Sequence, residues 1–139
     1  VGRGQLAWTL RQDSRVVPLE GINARLLEPA MLPISLRNVA LVTIDVSFIS
    51  LRLILPQVPS LLVPRGTVVA LVKPQFEAGR SEVGRKGVVT DANVHRRVVD
   101  TVAATADQVG LKPIGMTPSP ITGVAGNQEF FLHLSLVTE

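Results

Sequence analysis

The sequence predicts an α/β fold built on one mostly parallel sheet whose last strand is antiparallel. Strand-like and helix-like segments alternate along most of the 139 residues, a pattern that produces parallel sheets with helices on their faces. The chain then closes with two strand-like segments, 111–117 and 128–137, which are joined by a loop too short for a helical crossover. The last strand is therefore expected to run antiparallel to its neighbour.

The first third of the chain predicts one short helix and two strands. Apolar spacing in "GQLAWTLRQD" indicates a helix over residues 4–12, and "RVVPLE" indicates a short strand over 15–20. Residues 21–38 mix Pro, Gly and Asn and are expected to form a loop. Residues 39–44 are apolar on both faces, as in a parallel strand that is covered on both sides.

The rest of the chain continues the alternation. Residues 49–66 predict a helix in spite of their prolines, followed by a strand over 67–73 and a Gly-rich basic loop over 74–90. Asp91 is a suitable N-cap for the next helix, 92–109, which carries an apolar stripe and is followed by glycine. These elements complete the predicted sheet and its covering helices.

Composition narrows the class of protein. Hydrophobic residues make up 46% of the chain, with a net charge of +3 and a mean hydropathy of +0.34, values that indicate a folded globular chain. The apolar runs fall short of the roughly 20 residues that a membrane span needs. Cysteine is absent, which excludes disulfides and thiolate metal sites and suggests the cytoplasm. The opening "VGRGQLAW" resembles the interior of a domain, so we expect the protein to extend upstream.

Two glycine motifs give only weak signals. "GRGQLA" (2–7) fits the dinucleotide pattern G-x-G-x-x-A, and Glu20 could supply its acidic residue. That pattern requires a strand before it, and none precedes it in this sequence. "GRSEVGRK" (79–86) lacks the G-K-[ST] ending of a phosphate-binding loop and is rejected.

Three charges stand in apolar surroundings and are the candidate site residues. Asp45 and Lys73 each end an apolar strand, and ligands of open α/β sheets bind outside the carboxyl ends of the strands. If the strands are neighbours, the two backbones lie about 5 Å apart. An ion pair that only closes the sheet is the alternative, although buried pairs rarely add net stability. Glu129 is the third charge, and its alternative interpretation is an exposed carboxylate near a strand start.

Five stretches together resemble the hemolysin-A-type (TlyA) branch of the FtsJ-like methyltransferases. They are "VGRGQLAWTLRQD" (1–13), "DVSFISLRLILP" (45–56), "LVKPQFEAGR" (71–80), "GVVTDANVH" (87–95) and "SPITGVAGNQEFFLHL" (119–134). The resemblance implies a Rossmann-like class I methyltransferase fold. It also implies transfer of a methyl group from S-adenosylmethionine to ribose 2′-hydroxyls of ribosomal RNA, with the ribosomal subunit or its RNA as partner.

The resemblance also implies roles for particular residues. The family uses a Lys-Asp-Lys-Glu tetrad, whose last three members match Asp45, Lys73 and Glu129. Its first lysine, its glycine-rich cofactor loop and its S4-like RNA-binding domain are expected upstream. Residues 1–139 are thus expected to be part of a methyltransferase domain that is inactive alone. "GINARL" resembles the stretch beside the adenine, with Asn23 as a cofactor contact and Asp45 near the methyl end.

The chemistry of the lysine and the function of the chain leave alternatives open. A lysine removes a hydroxyl proton only when neutral, and two nearby carboxylates favour the charged form of Lys73, so this residue either acts as a base or orients the hydroxyl. One alternative function is a membrane-lytic hemolysin, although no amphipathic basic helix stands out. The other is a non-catalytic RNA-binding remnant. Its basic side chains would be Arg80, Arg85, Lys86, Arg96 and Arg97, the first three also being the RNA contacts expected of the enzyme.

Overall fold

The computed structural model describes residues 2–137, which form one mixed four-stranded sheet with a long helix on one face. The sheet order is β1-β2-β4-β3. The strands are β1 Val39–Ile44, β2 Leu62–Val72, β3 Leu111–Pro118 and β4 Phe130–Leu136. β1 and β2 are parallel, while β4 lies between β2 and β3 and is antiparallel to both. The antiparallel last strand is confirmed, but a mostly parallel sheet holds only in part, since β1–β2 is the one parallel pair among these strands.

The long helix α3 is the element that the sequence predicted best. It spans Ala92–Gln108, and the Asp91 side chain caps it by accepting a hydrogen bond from the backbone N–H of Asn93. It ends before Gly110, whose φ of +90° is a conformation that suits glycine. Its buried stripe packs against the sheet and consists of Val94, Val98, Val99, Val102 and Ala106.

The predicted helix over residues 49–66 is wrong for most of its length. Helix α2 covers only Leu51–Ile54 and passes into two 3₁₀ turns, Leu55–Gln57 and Pro59–Leu61. Prolines have no N–H and their rings crowd the preceding turn, so the α-helical bonding pattern cannot continue. The chain then enters β2 at residue 62, five residues earlier than predicted, and an irregular register between β1 and β2 accommodates the extra residues.

The segment before β1 is less regular than predicted. Helix α1 is a single turn, Trp8–Arg11, and residues 15–20 form no strand. Residues 21–38 are a loop with three 3₁₀ turns, as expected. β1 was predicted to be covered on both sides, but Leu41 is exposed. Within residues 2–137, β2 is the only strand that pairs with β1. The apolar sequence of β1 therefore forms an edge strand of the described sheet and not a central one.

The core lies between the sheet and the helices α2 and α3. Alternate residues of β2 are buried on this side and pack with buried residues of β4. Residues with no exposed surface include Leu55, Val68, Ala70, Val72, Val102, Ala106, Leu111 and Leu134. In the described part of the chain, no helix has both the length and the hydropathy required to cross a membrane.

Candidate active site

Asp45 and Lys73 meet at the carboxyl edge of the sheet. Each follows the end of a strand, and β1 and β2 run in parallel with Ile44 opposite Ala70. The Lys73 ammonium Nζ lies 2.6 Å from Asp45 Oδ1. The Lys73 side chain is only 14% exposed, whereas that of Asp45 is 69% exposed. The predicted proximity of the two charges is therefore confirmed, and the pair faces solvent through its carboxylate.

A serine completes the immediate surroundings of the lysine. Lys73 Nζ also donates a hydrogen bond to Ser47 Oγ over 3.0 Å. An ammonium group has three N–H donors, and Asp45 and Ser47 accept two of them. Sequence reasoning missed Ser47, although its position two residues after a strand-ending aspartate was an available signal.

Glu129 lies at the same edge but forms no ion pair or side-chain hydrogen bond with Lys73. Val72 pairs with Phe130 across β2 and β4, so the residues just beyond them, Lys73 and Glu129, are neighbours across the two strands. Glu129 is 7% exposed, so the exposed-carboxylate interpretation is wrong. Its Oε2 accepts a hydrogen bond from Gln75 Nε2 over 2.8 Å. No lysine, arginine or histidine nitrogen among residues 2–137 forms an ion pair with it.

The loop before β4 encloses the Glu129 carboxylate. The Cα of Gly123 lies so close to this carboxylate that a Cβ there would overlap it. Gly123 N–H donates to the Asn127 carbonyl over 2.7 Å, which closes the loop. The buried Asn127 side chain accepts from Val89 N–H and donates to the Gly87 carbonyl. The basic loop and the Glu129 loop are thus held together.

A second buried carboxylate, Glu77, was missed by sequence reasoning. Its side chain is 4% exposed, and it accepts hydrogen bonds from Ser50 Oγ over 2.6 Å and from Leu51 N–H over 2.7 Å. Burial raises the pKa of Glu77, and the bonds from Ser50 and Leu51 oppose that rise. Side-chain bonds to an irregular turn leave no periodic trace in a sequence, which explains why Glu77 was missed.

A cavity of about 620 Å³ lies beside the ion pair. Its lining includes Asn23, Asp45, Ser47 and the backbone of Gly21. The Asn23 side chain accepts from Arg25 N–H over 3.0 Å and so caps a 3₁₀ turn with its oxygen. The structure thus brings Asn23 and Asp45, the two expected cofactor contacts, to one cavity.

A second, more open cavity of about 880 Å³ adjoins the first through Phe48. Two aromatic rings and two arginines contribute to its lining, namely Phe48, Phe76, Arg25 and Arg80. The ring centroids are 5.0 Å apart, and Phe48 is 81% exposed. Arg85 and Lys86 are exposed on the basic loop but do not line this cavity.

Comparisons with known proteins give a family match and several similar sequences. A family model described as FtsJ-like methyltransferase matches residues 1–136. The chain is 53% identical over 134 residues to YqxC of Bacillus subtilis, which is named as an rRNA methyltransferase. It is 45% identical over 139 residues to a 16S/23S rRNA (cytidine-2′-O)-methyltransferase, TlyA, of Mycobacterium tuberculosis. These matches cover 96% and 100% of the chain but 47% and 51% of the relatives, so the chain spans about half their length.

Solved structures show the same relationship. A Streptococcus thermophilus protein described as a hemolysin matches with a TM-score of 0.91 at 46% identity, over 99% of this chain and 49% of that one. An S-adenosylmethionine-dependent methyltransferase from Methanosarcina mazei matches with a TM-score of 0.53 at 11% identity, over 85% and 66%. The second likeness concerns the fold alone, and it confirms the predicted methyltransferase-like α/β architecture.

Proposed function

The chain belongs to the FtsJ-like methyltransferase family, and on this premise we propose that it carries the catalytic edge of a ribosomal RNA 2′-O-methyltransferase. The observation that carries the proposal is the Lys73 ammonium group, held between Asp45 and Ser47 at the ligand-binding edge of the sheet. The names of the Bacillus subtilis and Mycobacterium tuberculosis relatives support ribosomal RNA as the substrate.

Lys73 is proposed to orient the ribose hydroxyl. Asp45 and Ser47 accept two of its three N–H donors, which leaves one for the 2′-oxygen. As that oxygen attacks the methyl carbon, the carbon–sulfur bond breaks to leave a neutral thioether, and the hydroxyl proton passes to solvent water at this exposed edge. Negative charge that develops on the oxygen as its proton leaves is stabilised by a fixed ammonium group. Nζ is already bound to Asp45 and Ser47, so of the two roles left open by the sequence we propose orientation rather than proton abstraction.

S-adenosylmethionine is the proposed methyl donor, and its sulfonium supplies an activated methyl group. The cavity beside Asp45 has the size and the mixed polar lining of a small-molecule site. The Asn23 oxygen is used in its cap, which leaves Nδ2 to donate to a ring nitrogen of the adenine. Asp45 is exposed toward the cavity and is proposed to contact the methyl end while holding Lys73.

Glu129 is proposed to be the last member of the family tetrad. A buried carboxylate without a cation is costly, and Glu129 forms no ion pair within the described residues. We propose that the first lysine of the tetrad, from the upstream part of the protein, lies beside it. In this proposal residues 1–139 are one part of a catalytic domain, which is joined to an S4-like RNA-binding domain. The protein acts in the cytoplasm, and residues 1–139 are inactive alone.

The open cavity and the basic loop are proposed to bind the RNA. Arg80 stands at the cavity, and Arg85 and Lys86 are exposed on the same loop. Arginine and lysine contact phosphates, whereas an exposed aromatic ring such as Phe48 is suited to an unstacked base. This surface adjoins the Lys73 site, as a substrate path requires.

The test is methyl transfer from labelled S-adenosylmethionine to ribosomal RNA by the intact protein. A 2′-O-methyl group blocks alkaline cleavage at its nucleotide, so the label should survive in alkali-resistant dinucleotides. Label that is recovered only on bases would refute 2′-O-transfer. RNA binding without any label would favour the non-catalytic alternative, and dye release from lipid vesicles would favour the lytic one.

A further inference from the structure

Two turns at the carboxyl edge of the sheet are joined by side-chain contacts. We call residues 45–51, which follow β1, the first turn, and residues 73–77, which follow β2, the second turn. The contacts are the Lys73–Asp45 ion pair, the Lys73–Ser47 hydrogen bond, the Phe48–Phe76 ring contact and the hydrogen bonds from Ser50 and Leu51 to Glu77. Lys73 holds the beginning of the first turn, and Glu77 holds its end.

Glu77 uses both carboxylate oxygens on the first turn. Oε2 accepts from Ser50 Oγ over 2.6 Å, and Oε1 accepts from Leu51 N–H over 2.7 Å. The nearest cationic group is Arg52, whose Nε is 3.9 Å from Oε2 on a half-exposed side chain. Burying a carboxylate in this way is unfavourable compared with an apolar residue, so packing alone does not explain a glutamate here.

The first turn needs to be held because its middle is strained. Phe48 has a φ of +63°, in the left-handed region that bulky residues rarely adopt. Such a conformation persists only where neighbouring contacts fix the backbone on both sides. Ser47, just before Phe48, contacts Lys73, and Ser50 and Leu51, just after it, contact Glu77.

We propose that Glu77 is a positioning residue, which holds the first turn so that Asp45 and Ser47 stay within reach of Lys73. The inference rests on the function proposed above, since it concerns the placement of the Lys73 ammonium group. Glu77 acts through the backbone and not by contact with the RNA or the methyl donor. It is distinct from the four tetrad positions.

The test substitution is Glu77→Gln in the intact protein, with Glu28→Gln as the matched control at an exposed glutamate. Glutamine keeps the shape but replaces one acceptor by an NH₂ group, which faces a donor of the first turn. We expect kcat to fall about tenfold, with KM for both substrates close to wild type. The control should behave as wild type.

A readout that does not depend on activity separates this inference from the proposed function. Fluorophenylalanine labelling gives a ¹⁹F signal for Phe48, which is assigned by its loss in Phe48→Leu, and this signal senses the nearby Phe76 ring. Glu77→Gln should shift the Phe48 signal, and Ser50→Ala, which removes one donor to Glu77, should shift it less. If Glu77→Gln does not fold, Ser50→Ala decides the matter.

The outcomes are distinct. An unshifted Phe48 signal in both variants overturns the inference, and so does a shifted signal with wild-type kcat. If the wild-type protein transfers no methyl group, the proposed function is refuted instead. The part of the inference that concerns the reaction is then refuted as well. In that case the fluorine shift still shows whether Glu77 holds the first turn.

Discussion

Replacing Lys73 by methionine should abolish most methyl transfer while leaving the fold intact. The substitution keeps the apolar stem and removes the ammonium group that contacts Asp45 and Ser47. Because Asp45 is 69% exposed, the lost ion pair should cost less than about 1 kcal/mol of folding free energy. Loss of a fixed donor to a developing oxyanion costs about 2.7–4 kcal/mol, a factor of about 10²–10³ in kcat.

These two magnitudes decide between a catalytic and a structural lysine. The assay is labelled methyl transfer to ribosomal RNA by the intact protein, beside thermal unfolding and titration of the methyl donor. Lys112→Met is the matched control, because Lys112 is exposed on β3, away from the site. If Lys73→Met keeps more than about a tenth of wild-type kcat, a change below about 1.4 kcal/mol, Lys73 is only an ion-pair partner.

Three further predictions follow from the same edge of the sheet. Asp45→Asn should lower kcat and also raise the Kd for S-adenosylmethionine in calorimetry, since Asp45 lines the cavity as well as holding the lysine; an unchanged Kd would remove Asp45 from the cofactor site. Gly123→Ala should destabilise the fold by about 1–3 kcal/mol in urea unfolding, because the new Cβ would overlap the Glu129 carboxylate, and a neutral effect would show that the loop is not closely packed. The wild-type protein should exceed Glu77→Gln in free energy of unfolding by the largest amount below pH 4.5, and this difference should decline as the pH rises through the raised folded-state pKa of Glu77. A difference that grows with pH would contradict the burial argument.

The parts of the fold that follow from local chemistry were predictable. Helix α3 carries its own N-cap, Asp91, and a continuous apolar stripe, so it was predicted to within one residue at its end. Strand β2 was recognised by its apolar run and by the lysine that ends it. Asp45 and Lys73 were predicted to meet because the carboxyl ends of neighbouring parallel strands lie at the same edge of a sheet.

The parts that depend on distant partners were not predictable from patterns. Residues 15–20 have strand-like composition, but a strand requires a partner, and the described chain provides none for them. Residues 55–61 have helical spacing, but the missing proline N–H groups outweigh it. Ser47 and Glu77 act through hydrogen bonds in turns, and such contacts appear only once the two turns are placed side by side.

Chemical rescue of Lys73→Ala tests most directly whether an ammonium group at this position acts on the ribose hydroxyl. The alanine variant of the intact protein leaves a gap beside Asp45 and Ser47, which a small alkylammonium ion can enter. We predict that added ethylammonium restores alkali-resistant methyl label to ribosomal RNA in Lys73→Ala, and that it fails in the double variant with Asp45→Asn, which lacks the charge that holds the ion. A folded, cofactor-binding Lys73→Ala variant that ethylammonium leaves inactive, or equal rescue of both variants, would contradict the account.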